Sequence, residues 1–66
     1  MEGLMERRKA AGITQEQVAA ALNVTQGAVS HWERGEGLPT ISNLVKLARL
    51  LGCTVDDLMR DVIVEV

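Results

Sequence analysis

One histidine, His31, and one cysteine, Cys53, are the residues of this chain whose types most often hold a metal or attack a substrate, and there is no tyrosine. A lone imidazole and a lone thiol do not make a zinc site of four protein ligands, nor an internal disulfide. No phosphate-binding glycine loop and no carboxylate cluster outside a solvated helix accompanies them, so no catalytic centre, metal or cofactor is expected. The chemistry that remains is hydrogen bonding. Gln26, Gly27, Ser30, His31 and Arg34 point away from Ala28, Val29 and Trp32, which share the apolar side of one helical stretch.

The elements around that stretch are legible from caps and periodicity. Leu4, Arg8 and Ala11 fall on one face of a helix over about 2–11, stopped by Gly12. Thr14 and Gln17 form a capping-box pattern opening a helix over 15–22, with Val18, Ala19 and Leu22 apolar. Asn23 tolerates the positive φ of a tight turn. Thr25 then caps the helix that bears Gln26, and Gly35 ends it. After the loop from Gly35 to Pro39, Thr40 caps a helix whose apolar set is Ile41, Leu44, Val45, Ala48 and Leu51, ended by Gly52. Thr54 with Asp57 opens a short fifth helix carrying Val55, Leu58 and Met59. The expected class is all-α, a five-helix bundle.

Sixty-six residues, 47% of them hydrophobic and 24% charged, suffice for one folded domain, with a core over 4–59 and a tail over 60–66. So short a chain buries only about 60% of the surface it exposes when unfolded, and such modules often borrow stability from a partner subunit. The tail is ambiguous between a short strand and a helical extension. Its β-branched Val62, Ile63, Val64 and Val66 are read as a dimer contact, with a tail folded back on its own core as the alternative. No apolar run approaches the roughly 20 residues that span a bilayer and no export signal opens the chain, so a cytoplasmic protein with no membrane partner is expected.

The net charge of −2 argues, taken alone, against a nucleic-acid partner. Its distribution changes that. Residues 1–12 carry Glu2 and Glu6 against Arg7, Arg8 and Lys9; residues 13–51 hold three acids and three bases; the excess acidity is Asp56, Asp57, Asp61 and Glu65 against Arg60, at the C-terminal end. A neutral-to-basic face elsewhere is compatible with the total.

Two helices joined by a turn of about three residues, from Thr14 to Gly35, have the layout of a helix-turn-helix, whose second helix enters the DNA major groove. Small residues Ala19 and Ala20 are expected to let the two helices approach, with Val18, Leu22, Val29 and Trp32 filling the contact. The chain resembles the Cro and phage-repressor regulators, also called the xenobiotic response element family. The resemblance covers about residues 4–59. It rests on Arg8 followed by Gly12-Ile13-Thr14-Gln15, on Val18-Ala19, Val24-Thr25-Gln26, Glu33-Arg34-Gly35 and Pro39, and on Leu44 through Gly52 with Leu58.

The resemblance implies a lambda-repressor-like DNA-binding domain and assigns roles by position. Gln26 matches the family's main base reader, and a glutamine can pair bidentately with adenine N6 and N7. Ser30 and His31, one turn on, reach base edges or phosphates. Gly27 departs from the family pattern, because it has no side chain to read a base, and acts there through close approach or DNA shape. Gln15 sits where the family's glutamine meets a phosphate and braces the first base reader. Thr25 can touch phosphate while capping, and Arg34, Asn43 and Lys46 fall where the family meets the sugar-phosphate backbone. Arg8 and Glu33 correspond to a structural ion pair. Trp32, where the family usually has an aliphatic residue, and Cys53 are read as core.

The function this implies is sequence-specific binding of double-stranded DNA by a homodimeric regulator, a repressor reading a pseudo-palindromic operator, of bacterial or phage origin and without a small-molecule effector. The alternative from a different class is an antitoxin or protein-interaction module that uses the apolar tail to bind another protein. An enzyme is not expected.

Overall fold

Four threonines open four of the helices. In a computed structural model, which describes residues 1–62, the hydroxyls of Thr14, Thr25, Thr40 and Thr54 accept from the backbone N–H of Gln17, Ala28, Asn43 and Asp57 at 3.0–3.2 Å. Each cap satisfies one donor that a helix start leaves unpaired. At Thr14 and Thr54 the box closes, because Gln17 and Asp57 accept in return from the cap residue's own N–H. The elements are α1 (Glu2–Ala10), α2 (Gln15–Leu22), α3 (Gln26–Glu33), α4 (Ile41–Leu51) and α5 (Val55–Leu58). Asn23 ends α2 at φ 56°, the left-handed turn between α2 and α3, and Gly52 does the same for α4 at φ 65°.

Each helix sends one fully enclosed side chain into the centre: Leu4, Val18, Val29, Leu47 and Leu58. Met1, Ala19, Leu22, Trp32, Leu44 and Ala48 surround them, and Cys53 packs against the rim. Burial raises the Cys53 thiol above its ordinary range, which leaves it a weak nucleophile. The backbones of α1 and α5 approach closely at Gly3. Gly3 is buried there, and any side chain would collide with the carbonyls of Asp57 and Leu58.

Four expectations are corrected. The apolar stripe of α4 does not include Ile41 and Val45, which are 81% and 37% exposed; Leu47 takes the central place with Leu44 and Ala48. Both sets fit the helical period because α4 is apolar on more than one side, and only the position of its neighbours chooses between them. Helix α1 ends at Ala10, and Ala11 is exposed. Of the two small residues on α2, Ala19 lies in the helix contact while Ala20 faces solvent. Val62 is half-buried against the chain's own core and its N–H reaches the Met59 carbonyl at 2.8 Å. Ile63, Val64 and Val66, with the strand-or-helix reading of the tail, lie outside the described residues.

No helix among the described residues is long and apolar enough to cross a membrane. The α4 register has a direct test. Leu47→Ala is expected to cost about 2–5 kcal/mol in denaturant unfolding, whereas Ile41→Ala changes stability by less than about 0.5 kcal/mol.

Candidate nucleic-acid interface

Helices α2 and α3 pack through Val18, Ala19, Leu22, Val29 and Trp32, which leaves the N-terminal turn of α3 and the first residue of α2 side by side at the surface. Beneath them lies a guanidinium–carboxylate pair. Arg8 donates from Nε to Glu33 Oε2 at 2.6 Å and from Nη2 to Glu33 Oε1 at 3.0 Å, while its Nη1 donates to the Ile13 carbonyl at 2.9 Å. One side chain of α1 thus holds both the turn before α2 and the end of α3. The pair is largely out of water, with 12% of the Arg8 and 4% of the Glu33 side chain exposed.

Burial alone pushes the Glu33 carboxyl up. The hydrogen bonds from Arg8 and Gln15, with the positive charges of Arg8 and Lys9, outweigh that and leave it below the usual glutamate range. Arg8 moves the other way, raised chiefly by its hydrogen bond to Glu33. Both groups are therefore charged at neutral pH.

The network continues outward to α3. Gln15 Nε2 donates to Glu33 Oε1 at 3.1 Å, and Gln26 Nε2 donates to Gln15 Oε1 at 3.2 Å. Gln26 is exposed, Gln15 half-buried. Beside Gln26, Thr25 spends its hydroxyl on the Ala28 cap yet stays exposed. Gly27 is exposed, and a methyl group there would meet only Thr25 Oγ1 at 3.8 Å, an ordinary contact. Nothing in the fold requires glycine at that position, although glycine inside a helix costs about 1 kcal/mol relative to alanine. One turn on, Ser30 is half-buried and His31 exposed.

Arg34 caps the C-terminal end of α3, Asn43 lies in the first turn of α4 and Lys46 at its middle; Arg34 and Lys46 are exposed and Asn43 half-buried. Arg34 is not free. Its Nη2 lies 2.9 Å from Glu36 Oε2, and His31 Nδ1 lies 3.7 Å from the same oxygen. Sequence reasoning missed Glu36. The available signal was an acid two residues after an arginine across Gly35, whose φ of 78° folds the chain back on the helix end. Trp32, 8% exposed, belongs to the core. No group of three or more possible metal-binding side chains occurs among the described residues.

Residues 4–58 match the HTH_3 family, described as helix-turn-helix. The chain belongs to that family. Among its relatives is the cryptic phage CTXphi transcriptional repressor RstR of Vibrio cholerae, 42% identical over 57 residues, covering 86% of this chain and 51% of that protein. The HTH-type transcriptional activator BcrR of Enterococcus faecalis is 36% identical over 58 residues, 88% of this chain and 28% of that one. The HTH-type transcriptional regulator DicA of Escherichia coli is 42% identical over 53 residues, 80% and 39%. This chain spans about half or less of the length of each.

The buried pair makes stability depend on pH. Because the folded value of Glu33 lies below its unfolded one, the contribution is present above the unfolded value, about 4.3, and is lost as pH falls through the folded value. Denaturant unfolding between about pH 6 and pH 3 is expected to show a loss of stability on acidification, smaller in Glu33→Gln than in the parent chain.

Proposed function

We propose that the chain binds double-stranded DNA sequence-specifically as a homodimeric transcriptional regulator, acting as a repressor, with α3 in the major groove. The observation that carries this reading is Gln26: an exposed amide at the first turn of α3, held by Gln15 on a base of buried ionic and apolar contacts. A reader needs a fixed side chain that keeps unused hydrogen-bonding capacity, and Gln26 has both. Ser30, His31 and the bare backbone at Gly27 extend the same face. Gln15, Thr25, Arg34, Asn43 and Lys46 are assigned to phosphates, which set register and orientation without carrying sequence information.

Repression is supported by two relatives, the transcriptional repressor RstR and Repressor protein C2 of Salmonella phage P22, the latter 36% identical over 59 residues. Geometry supports dimerisation. The described residues offer one recognition helix and their longest extent is 33 Å, whereas the two half-sites of a pseudo-palindrome lie about 34–36 Å apart. Ile63, Val64 and Val66 are the proposed contact.

The weak cationic character of the surface also fits a protein that relies on two half-sites. Four of the seven bases, Arg7, Arg8, Arg34 and Arg60, pair with acids among the described residues, so few remain to displace counterions from DNA.

Two measurements test the reading. Gln26→Ala is expected to reduce discrimination between the selected site and random DNA by about 1–3 kcal/mol with an unchanged unfolding midpoint. An unaltered ratio would count against it. Glu36→Gln is expected to release Arg34 to phosphate, strengthening binding to all sequences alike and steepening the salt dependence by about one unit of log K per log salt for each half-site. Titrations at several salt concentrations read both effects.

A further inference from the structure

Arg8 and Arg34 each hold a carboxylate on α3 or just beyond it, and they hold it differently. Arg8 spreads its donors over both oxygens of Glu33, in a pair largely out of water. Arg34 directs Nε and Nη2 at a single oxygen, Glu36 Oε2, at 3.2 and 2.9 Å, and more than half of each side chain is exposed. His31 Nδ1 faces that same oxygen at 3.7 Å. Two side chains thus converge on one point at the C-terminal end of α3, and the anion there comes from the chain itself. Glu36 reaches it because Gly35, at φ 78°, turns the chain back and the Glu36 N–H donates to the His31 carbonyl at 2.9 Å. With its backbone fixed in this way, the carboxylate can leave by rotation of its side chain alone. A guanidinium fork is best matched by two acceptor oxygens side by side, which a phosphodiester offers and the one engaged oxygen of Glu36 does not.

We propose that the Glu36 carboxylate holds the place of a DNA phosphate and that binding exchanges one for the other: the Arg34–Glu36 pair breaks, and the Arg34 guanidinium, with His31 at its edge, takes up a phosphodiester. The proposal rests on the reading of α3 as the DNA-contacting helix and adds to it an anion site that the free protein keeps closed. Each protomer gives up an ion pair for the phosphate contact, so that contact adds to affinity only the difference between two anions. The charges of Arg34 and Glu36 cancel with or without the exchange, which leaves the salt dependence of the parent chain blind to it. What changes is the interaction between the two side chains. A pair that persists on DNA leaves the effects of its members on binding additive, whereas a pair that breaks leaves a coupling between them.

A double-mutant cycle on binding tests the exchange. The full chain, Glu36→Gln, Arg34→Met and the double variant are titrated at one salt concentration with a duplex selected from random DNA by the full chain. Folding of each is checked by circular dichroism in the same buffer, and Arg34→Gln replaces Arg34→Met should the latter fail to fold. Glu36→Gln is expected to strengthen binding more when Arg34 is present than when it is absent. The two gains are expected to differ by about two- to fivefold for each protomer on the DNA, the range of an exposed ion pair. Equal gains in the two backgrounds mean that the pair persists on DNA and overturn the exchange, as does a smaller gain with Arg34 than without it. Gln26→Ala, titrated with the same duplex and with random DNA, keeps the two readings apart. Lost discrimination in Gln26→Ala, together with additive effects at Arg34 and Glu36, overturns the exchange and leaves the reading of α3 standing. A chain that binds no duplex in any of these forms overturns both.

Discussion

The guanidinium of Arg8 has donors enough for three acceptors, and it finds them in two separate stretches of chain: the Ile13 carbonyl before α2 and both oxygens of Glu33 at the end of α3. Two charges taken out of water are costly unless their remaining hydrogen-bonding positions are filled. Here they are filled in a way that commits the geometry around them. Arg8 cannot keep its bonds unless the start of α2 and the end of α3 hold their relative positions, and Glu33 cannot keep its own unless Gln15 comes forward as a donor. The orientation of the helix-turn-helix and the pose of its surface glutamines thus share one electrostatic origin.

So strict an arrangement stands on a thin interior. Five fully enclosed side chains, one per helix, form the centre, and at Gly3 the backbone of α1 is brought close to that of α5. Such a core tolerates little change in volume, because each helix has few other contacts that define its place. The threonine caps relieve part of that demand. They make each helix start locally satisfied, so that tertiary packing has to orient the helices more than create them.

The surface divides its charges with similar economy. Acids and bases neutralise one another at Arg7–Asp57, Arg60–Glu6 and Arg34–Glu36, which keeps the module near neutrality at the cost of general attraction to polyanions. On the proposed reading, discrimination then falls to the few side chains at the start of α3 and to how firmly they are held.

Element boundaries were almost fully legible in the sequence, because threonine caps, Asn23 and the glycine stops are local signals that act within a turn of the residue carrying them. Positions along α2 and α3 were legible for the same reason, given one polar side and one apolar side per helix, except at Ala20, which is exposed where a helix contact was expected. The face of α4 was not. Ile41, Val45 and Leu47 are equivalent to any test of periodicity, and only the direction from which the other four helices arrive makes Leu47 central and Ile41 peripheral. The pairing of Glu36 with Arg34 likewise needed the fold of the loop. Residue types and local spacing determined which helices form, where they stop and which amide stands first on α3. Tertiary structure alone decided which way that amide faces, because its orientation is inherited through space from a carboxylate seven residues later and an arginine on another helix.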